Sequence, residues 1–351
     1  MASIRSIEGF VGIVLLLACA GGSPAWGAKC DLKAGISVQE GRAGPCGFDA
    51  QKKSFDGTPA QQASCLTREV KRLGNIGDET ITSTLKELVG KPAPTVKEVQ
   101  VLLDAQHIKA AEVGGPINKP VSANYFIIHD TSAPNCSTSG PSTSCQALGE
   151  FPSNRDDASW GYNKNFGGHP KPFPDRLAHA FTNRVGASIT EVDFADQIAT
   201  TKFESCVDGA AKKKLFVGVE NIQPRVGDPK IPKPGKKAND FDAPTPGFTA
   251  KQYDRLALLY LVASARRGQW LVPAFHAVVD QFYADAHDDP QHFDMLAFST
   301  AVQKHIDAIA AARLVLKATF PPAHALVDIS KHPFQHSMQL SAGRLLRIRE
   351  M

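Results

Sequence analysis

One short stretch of the sequence concentrates side chains that can bind metals or move protons. Val272–Met295 reads VPAFHAVVDQFYADAHDDPQHFDM and holds three His and five Asp. Imidazole nitrogens and carboxylate oxygens are ligands that Zn²⁺ and related divalent ions take in proteins. The stretch has little helical periodicity, so we expect a loop, and the alternative to a metal site is a solvated acidic loop. Within it, Asp280 and Asp285 are expected to be solvated rather than to bind a metal.

Two apolar runs upstream each deliver a side chain that could join such a site. Tyr125–Ile128 reads YFII, which predicts a buried strand, and His129 follows it directly. Leu215–Val219 predicts a second buried strand, which delivers Glu220 at its end. Because α/β folds place their sites at the carboxyl ends of such strands, both side chains are candidate site residues.

The elements around these residues predict an α/β protein. Leu177–Asp193 reads as two strands around a turn, with His179 open to a structural or a substrate-adjacent interpretation. A helix is expected from Thr249 as N-cap to Gly268 as C-cap, and a last long helix over Leu296–Leu316. Since strands and helices are interspersed, the expected fold is a central mixed β-sheet flanked by helices.

The residues before this domain form an N-terminal extension in which we identify no chemistry. Two helices are predicted, one over about Gln61–Leu73 and one that begins near Thr95 and continues as VKEVQVLLDAQH. Three cysteines lie in this part of the chain. We therefore expect a small, disulfide-braced cap on the main domain.

The first residues predict export from the cytoplasm. Met1–Gly27 has the basic Arg5, the apolar stretch Phe10–Ala20 and a small-residue cleavage site at Ala25–Gly27. A lipobox-like sequence ends at Cys19, so outer-membrane lipoprotein processing there is the alternative. The expected location is periplasmic or secreted, and no later segment is long and apolar enough to predict a transmembrane helix.

The cysteine pattern predicts disulfides. After cleavage six cysteines remain, an even number that favours disulfides in an exported chain. Cys136 and Cys145 bracket a Ser/Thr/Gly/Pro loop and form the expected local bridge. No CxxC pair occurs in the sequence, which argues against a thiolate zinc site.

The charge pattern argues against nucleic acid as a partner. The net charge of +4 is small and scattered. Its one basic concentration is Lys230–Lys237, in a Pro/Gly-rich stretch that predicts a solvated loop, with weak attraction to an anionic polymer as the alternative. No basic stripe with interleaved aromatic residues is present.

A series of short motifs follows in order over Val121–Ile309, which is more than half of the chain. They are Phe126–Thr131 (FIIHDT), Ala178–Phe181 (AHAF) through Gly186, Val217–Asn221 (VGVEN), the helix Ala250–Arg267, Pro273–His276 and Asp289–Asp294 (DPQHFD). In this order they resemble the N-acetylmuramoyl-L-alanine amidase family of zinc hydrolases, the type-2 amidases related to peptidoglycan recognition proteins. The resemblance implies a type-2 amidase-like fold.

The same resemblance implies roles for five residues. His129, His276 and Asp289 would hold Zn²⁺, which leaves a fourth position for water. Glu220 matches the general base of the family, which takes the proton of the water and passes it to the leaving amine. His287 occupies the position of a Lys that stabilises the oxyanion, a role that an imidazole fills only while protonated.

The chain also departs from the family pattern. Gln291 stands where the family has Gly after Asp-Pro, and Met295 stands where it has Trp after Phe-Asp. Phe275 stands where the family often has Gly before the second His. The spacing from His276 to Asp289 is a few residues longer than the family has. These changes leave the third ligand open, and the alternatives to Asp289 are Asp288, His287 and His292.

The expected activity is hydrolysis of the amide bond between N-acetylmuramic acid and L-alanine, with peptidoglycan or muropeptides as partners. The alternatives are a non-catalytic peptidoglycan-binding protein of the same fold, a zinc amidase with another N-acyl or peptide substrate, and a disulfide-braced exported protein without metal. The expected organisation is a signal peptide (1–27), the N-terminal extension (28–120), the amidase-like catalytic domain (121–320) and a C-terminal tail (321–351).

Overall fold

A computed structural model of the chain describes residues 30–31, 42–43, 46–49, 51–71, 75–131, 135–136, 178–208, 214–223, 225–226, 247–283 and 287–319. The predicted signal peptide, Cys19, Cys145 and the predicted tail lie outside the described residues. The strands are β1 Arg42–Ala43, β2 Cys46–Asp49, β3 Ser54–Phe55, β4 Arg68–Lys71, β5 Asn75–Glu79, β6 Tyr125–Asp130, β7 Asn135–Cys136, β8 Ala180–Thr182, β9 Ser188–Thr190, β10 Phe216–Asn221, β11 Arg225–Val226 and β12 Val272–Phe275. The helices are α1 Pro59–Leu66, α2 Ser83–Leu88, α3 Val96–Ala105, α4 Lys202–Asp208, α5 Ala250–Arg267, α6 His276–Val279 and α7 Met295–Thr319, with a 3₁₀ turn at Ala110–Glu112.

The central sheet has five strands in the order β12-β6-β10-β8-β9. The first four run parallel, and β9 returns antiparallel to β8. The predicted α/β class with a mixed sheet is therefore confirmed. In the register of the two central strands, Glu220 lies beside His129, and Phe275 of β12 lies beside Ile128. His276, the residue after β12, thus begins at the same edge of the sheet.

The two faces of the sheet are both covered, which explains why every residue of β6 is buried. Neighbouring side chains on a strand point to opposite faces. The ring of Phe126 contacts Tyr260 of α5 at 5.3 Å between centroids, whereas the ring of Tyr125 contacts Phe55 of β3 at 5.0 Å. Phe55 in turn stacks on Phe203 of α4. One layer therefore contains α5, and the opposite layer contains α4 and β3 of the N-terminal extension.

The N-terminal extension shares the hydrophobic core of the main sheet. Its apolar side chains belong to the same buried cluster as those of β6, β10 and α5. The phenol of Tyr125 accepts a hydrogen bond from the backbone N–H of Phe55 at 2.8 Å. The extension therefore supplies a layer of the core as well as a cap, and the boundary at residue 120 stays a prediction.

Local signals fix the ends of α5 where they were predicted. The Thr249 hydroxyl accepts a hydrogen bond from the backbone N–H of Gln252, whose side chain accepts one from the Thr249 N–H. This reciprocal pair is a capping box. Gly268 follows the helix with φ +83°, a left-handed conformation that glycine adopts without strain. The predicted helix from Thr249 to Gly268 is confirmed, and α3 begins after Thr95 with the same kind of box.

Two predictions of local structure are wrong. The helix expected over Gln61–Leu73 ends at Leu66, because Arg68–Lys71 pairs with Asn75–Glu79 as an antiparallel hairpin. The stretch Val272–Met295, expected to be a loop, opens with β12 and α6. In both places, contacts or strand pairing with other segments of the chain override the local sequence pattern.

Two disulfides are formed among the described residues. Cys46–Cys65 braces the N-terminal extension, and Cys30–Cys206 joins the first described residues to α4. The prediction of disulfides is confirmed, while the expected Cys136–Cys145 bridge lies outside what the structure describes. Disulfides of this kind are typical of oxidising compartments. Within the described ranges, no helix combines the length and apolar character needed to cross a membrane.

Candidate metal centre

Three side chains from separate elements meet at the carboxyl edge of the sheet. His129 comes from β6, His276 from the start of α6 and Asp289 from the segment before α7. One ligand atom from each residue lies within 4.8 Å of the others. Since two imidazoles and one carboxylate suit zinc and other first-row divalent ions, this group could hold a metal ion.

The carboxylate of Asp289 reaches the Nδ1 atoms of both imidazole rings. Its Oδ1 is 2.9 Å from Nδ1 of His276, and its Oδ2 is 3.6 Å from Nδ1 of His129. The backbone N–H of Asp130 donates to the same Oδ2 at 3.2 Å. The segment is also held through its backbone, because the N–H of Ala277 donates to the carbonyl of Asp289 at 2.8 Å. The longer spacing after His276 therefore still brings a carboxylate to the two histidines.

The structure distinguishes Asp289 from the other residues considered as third ligand. Asp288 is buried, and its Oδ2 accepts a hydrogen bond from Nε2 of Gln291 at 2.5 Å. His292 is exposed. The ring of His287 lies edge-on to that of His276, with 5.5 Å between centroids. Among the described residues, the cluster able to hold a metal contains Asp289 and none of these three.

The buried carboxylates and imidazoles of the centre shift each other's pKa. Burial alone would lower the pKa of His276, but the carboxylates of Asp289 and Asp280 flank the ring and raise it well above the ordinary value. Burial alone would raise the pKa of Asp289, yet His276 and His129 hold it well below the ordinary range. The ring of His276 therefore lies between two buried carboxylates, which favour its protonated form.

Asp280 is a participant that the sequence interpretation missed. It was expected to be solvated, but it is fully buried, and Nε2–H of His276 donates to its Oδ2 at 2.9 Å. Although burial would raise the pKa of Asp280, His276 and the backbone N–H groups of Phe203 and Lys202 hold it below the ordinary value. The i, i+4 spacing from His276 was the available signal, and it carries meaning only on a helix such as α6.

His129 is held from the neighbouring strand. The side-chain amide of Asn221 donates to the carbonyl of His129 at 2.8 Å and accepts a hydrogen bond from the hydroxyl of Thr182 at 2.6 Å. Burial, and then the positive charge of His276, lower the pKa of His129. Its buried Nε2 has no hydrogen-bond partner among the described residues. The ring is thus neutral, the form in which a histidine binds metals.

Glu220 projects from the strand next to His129. Its Oε2 is shielded from solvent and has no hydrogen-bond partner among the described residues. Burial raises the pKa of Glu220 well above the ordinary value, and the charge of Asp289 raises it further. A shielded carboxyl group beside two imidazoles is a candidate proton acceptor.

The contacts of His179 favour a structural role over a position next to the substrate. The backbone N–H of Gly218 donates to its Nδ1 at 3.0 Å, and its Nε2–H donates to the carbonyl of Asp196 at 3.3 Å. The ring therefore joins the β8 side of the sheet to β10 as a neutral side chain. Burial lowers its pKa to about 4.

This histidine should make the fold sensitive to acid. Because the pKa of His179 is lower in the folded chain than the ordinary value of about 6.5, the unfolded chain binds the proton first as the pH falls. Between about pH 6.5 and pH 4 the wild type should lose up to about 3 kcal/mol that a His179→Asn variant does not lose. Urea unfolding of both proteins over this range measures the difference, and parallel curves would refute it.

Comparison of the chain with protein-family models, with curated proteins and with solved structures found no match. The likeness to the type-2 amidases therefore depends on the ordered motifs and on the centre that they form.

Proposed function

We propose that this protein is a zinc-dependent amidase that cleaves the bond between N-acetylmuramic acid and the L-alanine of the peptidoglycan stem peptide. The observation that supports this most is the convergence of His129, His276 and Asp289 beside the shielded carboxyl group of Glu220. Four of the six motifs of the resemblance contain one of these four residues, and they lie on β6, on β10, at the junction of β12 with α6 and directly before α7.

The donor set fits zinc. His129 is a buried, neutral imidazole with one ring nitrogen lacking a hydrogen-bond partner among the described residues, and His276 and Asp289 face each other through Nδ1 and Oδ1. These three residues would hold Zn²⁺, which when bound supplies a Lewis acid for the scissile carbonyl and lowers the pKa of a water toward about 7.

Glu220 would move the proton of the hydrolytic water. Its carboxylate accepts that proton while the water oxygen bonds to the carbonyl carbon, and it then gives the proton to the amine as the C–N bond breaks. The parallel register of β10 and β6 holds this side chain beside His129.

His287 is proposed to stabilise the negative charge that develops on the carbonyl oxygen. Its ring lies 5.5 Å from that of His276, between centroids, so it borders the centre. A protonated imidazole there would take the place of the Lys of the type-2 amidases. In this role His287 would supply positive charge to the developing oxyanion and would not bind the metal.

The substrate is inferred from the resemblance and agrees with an exported, disulfide-bonded chain. Peptidoglycan lies outside the cytoplasmic membrane, where oxidised cysteines persist. Export itself rests on the N-terminal sequence and is part of this proposal, as is processing to a periplasmic or secreted form.

The test is digestion of purified peptidoglycan by the zinc-loaded chain. We expect soluble stem peptides with a free N-terminal L-alanine, identified by mass spectrometry, and no release after treatment with a chelator. Cosedimentation with peptidoglycan without released peptides would favour the non-catalytic binding protein. Cleavage of small N-acyl amides without action on muropeptides would instead favour an amidase with another substrate.

A further inference from the structure

The metal centre described above has a second layer on the side of His276 that faces away from Asp289. The ring of His276 is held at both nitrogens, by Asp289 at Nδ1 and by Asp280 at Nε2, each at 2.9 Å. Asp280 lies one helical turn after His276, so α6 itself sets their separation. Within the described chain, Asp280 does not belong to the group of metal-binding side chains.

Asp280 is itself fixed by backbone donors from another element. Its Oδ2 accepts a hydrogen bond from the N–H of Lys202 at 2.8 Å, and its Oδ1 accepts one from the N–H of Phe203 at 2.9 Å. With the bond from His276, the carboxylate accepts three hydrogen bonds. It is fully buried, so water does not compete for these positions.

The element that carries these donors is anchored independently. The ring of Phe203 packs edge-on against Phe48 at 5.0 Å and stacks on Phe55 at 5.7 Å. Cys206, on the same helix, is joined to Cys30 by a disulfide. The backbone of α4 therefore presents two N–H groups at positions that the core determines.

We propose that Asp280 is a positioning residue for the metal centre: it holds the proton of His276 on Nε2 and turns Nδ1 toward the side where His129 and Asp289 converge. This inference rests on the proposed metal centre. A carboxylate that accepts the remote N–H of a ligating histidine fixes the tautomer and the orientation of the ring and increases the basicity of the other nitrogen. Loss of such a partner lowers metal affinity about 10- to 100-fold.

The substitution that tests this is Asp280→Asn. Asparagine keeps the shape of the side chain but loses the negative charge, and its NH₂ group must face a backbone N–H or the ring N–H. Because Asp280 also receives hydrogen bonds from the start of α4, the matched control is Thr201→Val. The Thr201 hydroxyl accepts a hydrogen bond from the N–H of Glu204 at 3.0 Å and has no contact with His276 among those described.

Zinc affinity is measured at one fixed pH by competition with a chromophoric chelator. We expect the affinity of Asp280→Asn to fall about 10- to 100-fold relative to wild type and that of Thr201→Val to be unchanged. Equal weakening in both variants would show that the start of α4 matters rather than the bond to His276, and would overturn the proposal. Wild-type affinity in Asp280→Asn would also overturn it.

A second measurement on the wild type does not depend on the folding of any variant. In zinc-loaded protein with ¹⁵N-labelled histidine, NMR should show the His276 proton on Nε2, protected from exchange with water. A proton on Nδ1 would contradict the inference. Failure of the wild type to bind zinc would overturn this inference together with the proposed function, whereas a zinc-binding wild type with an unaffected Asp280→Asn variant would remove only the role of Asp280.

Discussion

Replacing either His129 or His276 by Ala is expected to reduce the zinc content from about one ion per chain to near zero, because a site with only three protein ligands loses one of them. Peptidoglycan hydrolysis should disappear with the metal. The measurement is the metal content of each purified protein after zinc reconstitution and removal of excess ion. The two substitutions test the same centre from different elements, since His129 lies in β6 and His276 begins α6.

The two variants should differ in stability. His276 lies between two buried carboxylates, so its removal leaves both without their cation, which costs about 3–5 kcal/mol for comparable buried pairs. His129 is neutral, and its removal should have a smaller effect on the free energy of unfolding. If His276→Ala does not fold, His129→Ala still tests the centre.

Residues of the same motif provide the matched controls. His292→Asn should keep its zinc, since His292 is exposed, and Asn tolerates the φ of +52° at this position. Asp289→Asn should lose zinc, whereas Asp288→Asn should retain it. If Asp288→Asn lost zinc and Asp289→Asn retained it, Asp288 would be the third ligand. That result would contradict the centre as described.

The sequence was sufficient for those elements whose signals are local. β6 is an apolar run covered on both faces, and α5 carries its own capping box and its own left-handed glycine. The His- and Asp-rich stretch and the two strand ends indicate candidate residues for metal binding and proton transfer, but the set His129, His276 and Asp289 comes from the resemblance to the type-2 amidases. The residue types and their spacing can be recognised in the sequence without knowledge of the packing.

What the sequence did not predict depends on contacts between distant segments. α1 ends at Leu66 because the following residues pair in a hairpin, a contact with no marker inside the helix pattern. Phe55 gave no sign that it would cover one face of the sheet against Tyr125. A loop at this stretch predicts a solvated Asp280, because in a loop neither the i, i+4 relation to His276 nor the donors from α4 can be recognised.

Glu220→Gln is expected to separate chemistry from metal binding. Glutamine keeps the size of the side chain but cannot accept a proton from the hydrolytic water, so turnover should fall about 10²- to 10⁴-fold. Zinc content should stay at the wild-type level, because Glu220 is not one of the three converging ligands. The measurement is the rate of peptide release from peptidoglycan beside the zinc content of the same preparation.

The same substitution should leave the metal-free protein at least as stable as the wild type. Glu220 has a shielded Oε2 without a hydrogen-bond partner in the described part of the chain, and it faces the charge of Asp289. A neutral amide removes this repulsion, whereas a residue kept for packing would lose stability when altered. Urea unfolding of the metal-free proteins tests this. A large loss of stability, or full activity in a stable Glu220→Gln variant, would show that Glu220 is a structural carboxylate and would leave the hydrolysis without its base.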